Sequence, residues 1–209
     1  MTARTTTEFS RAMRASSLAL GYPGATWRED LALVAAAAEV IGGPAREHLR
    51  TFVREVGGQD ERSLQQAYVD TFDLRRRCCL YLSYCSFGDT RKRGVALLQF
   101  TTAYRTAGFE VADGELPDHL AVVCEFAAAA PERGRALLRQ HRAGLELLRT
   151  ALADARSPWC WPVDAIRAVL PEAAPRDLRR ALDLARTGPP AEEVGLEPFA
   201  PPEYMGARR

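Results

Sequence analysis

This chain of 209 residues lacks long apolar runs and has almost no net charge. No stretch reaches the roughly eighteen continuous apolar residues of a membrane-spanning helix. The N-terminal sequence MTARTTTEFSRAM lacks the apolar segment and cleavage site of a signal peptide. A formal net charge of +1 gives no overall field that would attract nucleic acid or an anionic membrane. We therefore expect a cytoplasmic protein that neither inserts into a membrane nor binds nucleic acid.

Metal-binding and disulfide patterns are also missing. The five cysteines are an odd number, which argues against a disulfide framework, and no C-x2-C pair begins a zinc site. Cys78, Cys79 and Cys85 lie in a short, almost wholly apolar run. On a helix the first and third share a face while the second points away, so the three cannot converge on one ion. We interpret them as reduced core residues and predict no metal and no cofactor.

The local motifs of common hydrolases do not occur either. The sequence contains no G-x-S-x-G, no H-E-x-x-H and no G-x-x-x-x-G-K-[ST], and it has only three histidines. Asp118 and His119 are adjacent, which invites general acid–base chemistry, but neighbours on a helix point apart. We predict no catalytic residue and no enzyme. A small nucleotide hydrolase that uses Asp118 and His119 stays open as an alternative.

What the chain does have is helical periodicity. Apolar residues recur every three or four positions, and turns that contain Gly or Pro separate the periodic segments. The predicted helices lie at about 9–20, 26–42, 44–56, 61–73, 78–87, 90–105, 117–128, 131–156, 163–170 and 176–186. The sequence therefore predicts an all-α protein, a single-domain helical bundle of residues 1–187.

The last 22 residues have a different composition. Residues 188–209 contain five prolines, too many for a helix, and too little apolar surface to fold alone. We predict a disordered or loosely packed Pro-rich C-terminal tail. The alternative is that Phe199 and Tyr204 pack the tail back onto the bundle as a clamp.

Two basic triplets flank the cysteine run, at residues 75–77 and 91–93. Cations at the start of a helix oppose its dipole, so helix stability does not explain them. One interpretation is that they are solvated or paired with nearby carboxylates. The other is a positive rim beside an apolar groove, which would suit an acidic or helical peptide partner.

Residues 67–128 carry a resemblance to a known family. The motifs Y-V-D-T-F-D, G-D-T-R-K-R-G and E-L-P-D-H-L follow one another in this stretch. In that order and spacing they resemble the NarJ-type nitrate reductase molybdenum cofactor assembly chaperones. These belong to the redox-enzyme maturation proteins, with the TorD and DmsD chaperones.

The resemblance implies an all-helical, non-enzymatic chaperone that holds no metal or molybdopterin itself. Such proteins bind the N-terminal segment of the apo catalytic (alpha) subunit of respiratory nitrate reductase. They support insertion of the molybdenum cofactor and the iron–sulfur centre, and delay docking on the membrane subunit. The implied partners are that N-terminal peptide and the machinery for molybdenum cofactor insertion.

The family links its P-D-H turn to recognition of the client's leader peptide, which here points to Asp118 and His119, with Glu115 nearby. An amphipathic peptide helix would also need an apolar groove and a charged rim. The candidate groove residues are the aromatic side chains Tyr68, Phe72, Tyr81, Phe100 and Tyr104, and the candidate rim residues are Arg76, Arg91 and Arg93. Most of these aromatic side chains must instead be packed in the hydrophobic core.

Two further alternatives remain open at this point. The chain could mature a different molybdoenzyme, such as a dimethyl sulfoxide or formate enzyme. A helical regulator that binds nucleic acid would need a basic face, against which the near-neutral charge argues.

Overall fold

The computed structural model describes residues 3–88, 90–112 and 114–188 and is built from helices. The helices are α1 (Ala3–Ala19), α2 (Trp27–Val40), α3 (Gly43–Val56), α4 (Glu61–Phe72), α5 (Tyr84–Phe87), α6 (Arg91–Arg105), α7 (Leu120–Ala129), α8 (Pro131–Gln140), α9 (Arg142–Asp154), α10 (Cys160–Ala168) and α11 (Pro175–Thr187). A short 3₁₀ turn, Arg76–Cys78, lies between α4 and α5. The prediction of an all-α, single-domain bundle is confirmed.

The predicted tail lies almost wholly outside the described residues. The last described helix ends at Thr187, and the description stops at residue 188. The clamp residues Phe199 and Tyr204 fall beyond that point, so the division into a bundle and a tail stays a prediction. No helix within the described ranges combines the length and the apolar character needed to cross a membrane.

Helix α1 lies at the centre of the bundle and packs against α2, α7 and α10. Its apolar stripe includes Phe9 and Met13, which are buried completely or almost so. Two serines on the helix are buried with it, and their hydroxyls donate to carbonyls of neighbouring segments. Ser16 donates to Pro162 O at 3.3 Å and Ser17 to Ala121 O at 2.8 Å. These bonds tie α1 to α10 and α7.

An aromatic cluster joins α4 to the segment before α10. The ring centroids of Tyr68 and Phe72 each lie 5.4 Å from that of the fully buried Trp159, in edge-on contacts. The Tyr68 hydroxyl donates to Leu20 O at 3.0 Å. Tyr68 and Phe72 are therefore members of the hydrophobic core.

The helix predicted over residues 78–87 is wrong. The chain forms the 3₁₀ turn, then an extended stretch over Cys79 and Leu80, and only the single-turn helix α5 at the end. The reason is tertiary, because backbone groups of Leu80 and Leu82 bond to residues 118–120 instead of to their own turn. Cys78 and Cys85 are nevertheless buried, as predicted, while Cys79 is half-buried.

The single long helix predicted over 131–156 is also wrong, because α8 and α9 meet in a kink at His141. This residue has φ −101° and ψ 21°, and its ring lies against Phe100 with the centroids 4.5 Å apart. Beyond the kink, a Cβ at Gly144 would lie 2.9 Å from the carbonyl oxygen of Leu82. The first turn of α9 thus packs directly against the backbone of residues 80–83.

Candidate functional site

The candidate site forms where two distant segments pair. Leu82 N–H donates to Asp118 O at 3.0 Å, and Leu120 N–H donates to Leu80 O at 2.8 Å. Tyr81 and His119 oppose each other in an antiparallel bridge, which is isolated among the described residues. The pairing brings the cysteine-rich run and the P-D-H turn together although they are more than thirty residues apart in the sequence.

Asp118 is the buried anchor of this pairing. Its side chain is fully inaccessible, and Oδ2 accepts hydrogen bonds from the Ser83 N–H at 3.2 Å and from the Ser83 hydroxyl. The Arg93 guanidinium, Nη2, lies 3.8 Å from the same oxygen. Within the described parts of the chain, Oδ1 has no hydrogen-bond partner. The helix predicted over 117–128 starts later than expected, so Asp118 precedes α7, whose N-cap is His119.

Around this anchor lies a half-buried layer of aromatic and cationic groups. The guanidinium carbon of Arg93 is 5.4 Å from the ring centroid of Tyr81 and 5.6 Å from that of Tyr84. Tyr81 in turn meets the His119 ring edge-on, with the centroids 5.3 Å apart. We call these four residues, Tyr81, Tyr84, Arg93 and His119, the turn surface.

Burial sets the protonation of two of these side chains. Desolvation lowers the pKa of His119 below its ordinary value, and the nearby Asp118 carboxylate opposes that shift. Desolvation likewise raises the pKa of Tyr81. At neutral pH both rings are therefore uncharged, and Arg93 supplies the positive charge of the turn surface. Such a surface can bind apolar and anionic groups.

The geometry does not favour acid–base chemistry by Asp118 and His119. The Asp118 carboxylate is sealed in the interior, and no hydrogen bond joins it to the His119 ring among the described residues. No group of three or more His, Cys, Asp or Glu side chains in the described ranges is arranged to hold a metal ion. Burial raises the pKa of the Cys85 thiol to about 12, which disfavours the thiolate.

The remaining predicted site residues separate into buried and exposed sets. Phe100 and Tyr104 are core residues of α6, and the Tyr104 hydroxyl donates to Pro117 O at 2.5 Å, which supports the turn from inside. With Tyr68 and Phe72 they offer little or no surface, because the core encloses them. That these four residues contact the peptide stays a prediction. Such contacts would require the helical bundle to open.

Arg76, Arg91 and Glu115 lie at the surface. Arg91 begins α6, two residues before Arg93, and Glu115 lies in the loop before Asp118. Arg76 lines a small pocket of about 60 Å³ together with Tyr84 and Cys85. Of the predicted residues, the structure thus brings together Tyr81, Arg93, Asp118 and His119. Arg91 lies on α6 two residues before Arg93 and therefore on a different face of that helix.

Two residues of this candidate site were not predicted from the sequence. Ser83 holds the Asp118 carboxylate, and Gly144 permits α9 to approach Leu82. Neither carries a local signal, because each acts on a segment far away in the sequence. A serine and a glycine in such positions can be recognised only when the tertiary pairing is known.

The fold is similar to that of a solved structure. It matches the crystal structure of a redox enzyme maturation protein from Archaeoglobus fulgidus with a TM-score of 0.57 and 25% sequence identity. The match covers 76% of this chain and 91% of that one. The chain therefore shares the helical architecture of that protein.

A match to a protein-family model then identifies the family. The family model described as nitrate reductase delta subunit matches residues 39–163, which is more than half of the chain and includes the turn surface. The chain belongs to this family, and the resemblance to NarJ-type chaperones is confirmed.

Three relatives illustrate the match. The chain is 33% identical over 149 residues to the nitrate reductase molybdenum cofactor assembly chaperone NarJ of Bacillus subtilis, covering 70% of this chain and 81% of that protein. It is 30% identical to Escherichia coli NarJ over 116 residues, 54% of this chain and 49% of that protein. The NarJ relatives are named as assembly chaperones, in agreement with the prediction that this chain is not an enzyme.

The third relative is much longer. The chain is 44% identical over 127 residues to the nitrate reductase-like protein NarX of Mycobacterium tuberculosis, covering 60% of this chain and 20% of that protein. The matched region thus spans about a fifth of NarX.

Proposed function

We propose that this chain is a cytoplasmic assembly chaperone for nitrate reductase, which binds the N-terminal segment of the apo catalytic subunit. It would hold that segment while the molybdenum cofactor and the iron–sulfur centre are inserted, before the complex docks at the membrane. The chaperone itself would contribute no chemical step.

The observation that carries this proposal is the turn surface. It combines two tyrosine rings, a neutral imidazole and a guanidinium at a site inside the family match. Helix α6 also exposes two apolar side chains, Val95 and Leu98, which are 61% and 66% exposed and share one helix face with Arg91. Aromatic and aliphatic contact area beside a cation suits an amphipathic peptide helix that carries an acidic group.

Charge at the rim should set the strength and speed of this encounter. Arg91 is exposed in the first turn of α6, where no acidic residue offsets the helix dipole. A positive rim increases the association rate of an acidic partner and loses that effect at high salt. Arg91 is therefore the best single position at which to test binding without touching the core.

The test is calorimetric titration with a peptide of about the first thirty residues of the catalytic subunit of nitrate reductase. We expect Arg91→Glu to weaken binding about three- to tenfold at low salt, with a smaller difference at high salt. The matched control is Arg28→Glu, an exposed arginine on α2, which should bind as the wild type does. Circular dichroism should show the same helix content in all three proteins.

Two results would count against the proposal. Equal affinity of the wild type and Arg91→Glu would remove Arg91 from the contact. Absence of peptide binding by folded wild-type protein would reject this client, and the N-terminal peptides of other molybdoenzymes would then be titrated in the same way.

A further inference from the structure

A second charged cluster lies away from the turn surface, between α9 and α10. Glu146 and Asp164 are buried, and between them they accept from Arg142, Arg149 and Arg167. Arg142 Nε donates to Glu146 Oε1 at 2.7 Å, and Arg167 spans both carboxylates. Three guanidinium groups thus share two carboxylates, which leaves one positive charge in excess.

Arg142 is the most deeply buried of the three arginines. This residue is only 5% exposed, yet its Nη1 has no hydrogen-bond partner within the described residues. A buried guanidinium nitrogen that lacks an acceptor is costly, and Arg seeks bidentate oxyanion partners. Both oxygens of Glu146 already accept from Arg142 Nε or Arg167, and neither accepts from Arg142 Nη1.

Arg142 lines two cavities that differ in charge. One, of about 430 Å³, is lined by two arginines and two carboxylates, whose charges cancel: Arg142, Arg167, Asp164 and Glu172. Its His48 adds little positive charge at neutral pH, because burial lowers the pKa of that side chain. The other, of about 350 Å³, brings Arg139, Arg142 and Arg176 together against Glu172 and Asp177. The second space, which we call the Arg142 cavity, is lined by three arginines and two carboxylates and has the size of a small-molecule site.

We propose that the Arg142 cavity binds a small oxyanion, a phosphate or carboxylate group, which accepts a hydrogen bond from the Arg142 guanidinium. Arg139 and Arg176 at the exposed rim add positive charge, and the side chain of Arg176 is 84% exposed at the start of α11. The ligand bridges α8, α9 and α11, so its binding stabilises the packing of α11. This proposal does not rest on peptide binding at the turn surface.

The experiment is calorimetric titration of the full chain with inorganic phosphate and, separately, with succinate. Sodium chloride at matched ionic strength serves as the blank. We expect saturable binding of at least one of the two anions and a rise in melting temperature with its concentration. Tighter phosphate binding would assign a phosphate group to the site, and tighter succinate binding a carboxylate. Binding of neither anion beyond the chloride blank would overturn the proposal.

Variants locate the site. Arg142→Gln should lower the affinity at least about tenfold, because a charge-assisted hydrogen bond is lost. Since this variant removes a buried cation, the exposed rim variants Arg139→Gln and Arg176→Gln provide a test that does not depend on the core. Each should weaken binding several-fold.

Two controls complete the design. Arg179→Gln lies on α11 outside the cavity, and His48→Ala alters the charge-balanced cavity. Both should bind the anion as the wild type does. Unchanged affinity in both rim variants, or loss of binding in His48→Ala, would overturn the assignment to the Arg142 cavity.

Discussion

Single buried charges organise this protein at two places. Asp118 fixes the turn that carries His119, and Arg142 leaves a guanidinium nitrogen without an acceptor in the described structure. Both side chains are hidden from solvent, so each needs partners in the interior. Asp118 finds them in Ser83 and Arg93, more than twenty residues away in sequence.

The position of Asp118 makes it a stability residue first. We expect Asp118→Ala to lower the free energy of unfolding by about 2–4 kcal/mol, because Ser83 and Arg93 lose a buried acceptor. The exposed Glu115→Ala, three residues earlier, should change it by less than about 0.5 kcal/mol. Urea denaturation measures both. Equal stability of the two variants would show that the buried hydrogen bonds contribute little.

At the scale of the helices, a single glycine can allow two helix backbones to pack closely together. At Gly134 of α8 a Cβ would lie 2.2 Å from the Cα of Ala127 in α7. A Cβ built at Gly94 of α6 would meet no neighbouring atom within 4 Å. The two glycines are both helical, yet only one is required by the packing of its helix.

A matched pair of alanine variants tests this difference. Gly134→Ala should destabilise the protein by about 1–3 kcal/mol or more, because two backbones would have to separate. Gly94→Ala should stabilise it by about 0.5–1 kcal/mol through helix propensity alone. Thermal unfolding of both variants gives the comparison. A stable Gly134→Ala protein would mean that α7 and α8 can move apart at little cost.

The helices also differ in how well the sequence predicts them. Periodicity and the flanking turn residues located α3 and α6, because both signals are local. It failed at residues 78–87, where a run as apolar as a buried helix is extended and pairs with residues 118–120. It failed again at His141, where packing of the imidazole against Phe100 accompanies a break in a continuous helical pattern.

For the molecule as a whole, histidine burial predicts how stability depends on pH. Burial lowers the pKa of His141 to about 4; Asp118 opposes this and Arg180 adds to it. The unfolded chain takes up a proton near the ordinary value of 6.5, whereas the folded protein does not until about 4. Stability is therefore complete above about pH 6.5 and decreases as the pH falls below it.

We expect His141 alone to cost about 2 kcal/mol of stability between pH 7.5 and pH 5. The pKa values of His48 and His119 are lowered by burial as well, so they add to the same trend. Urea titrations at the two pH values measure the loss, and His141→Gln should show a smaller one. An identical loss in the variant would mean that His141 is not the group responsible.

The sequence by itself determined the helical class, most of the helix positions, the family and the segments that carry the candidate site. These follow from local periodicity, turn residues and short motifs, which need no tertiary information. Only the tertiary structure decided which motif residues meet. It buried Asp118 under Ser83, removed Phe100 and Tyr104 into the core, and placed the Arg142 cavity beside α11. The physical reason is that burial and pairing of polar groups depend on segments far apart in the chain, whose approach no local pattern encodes.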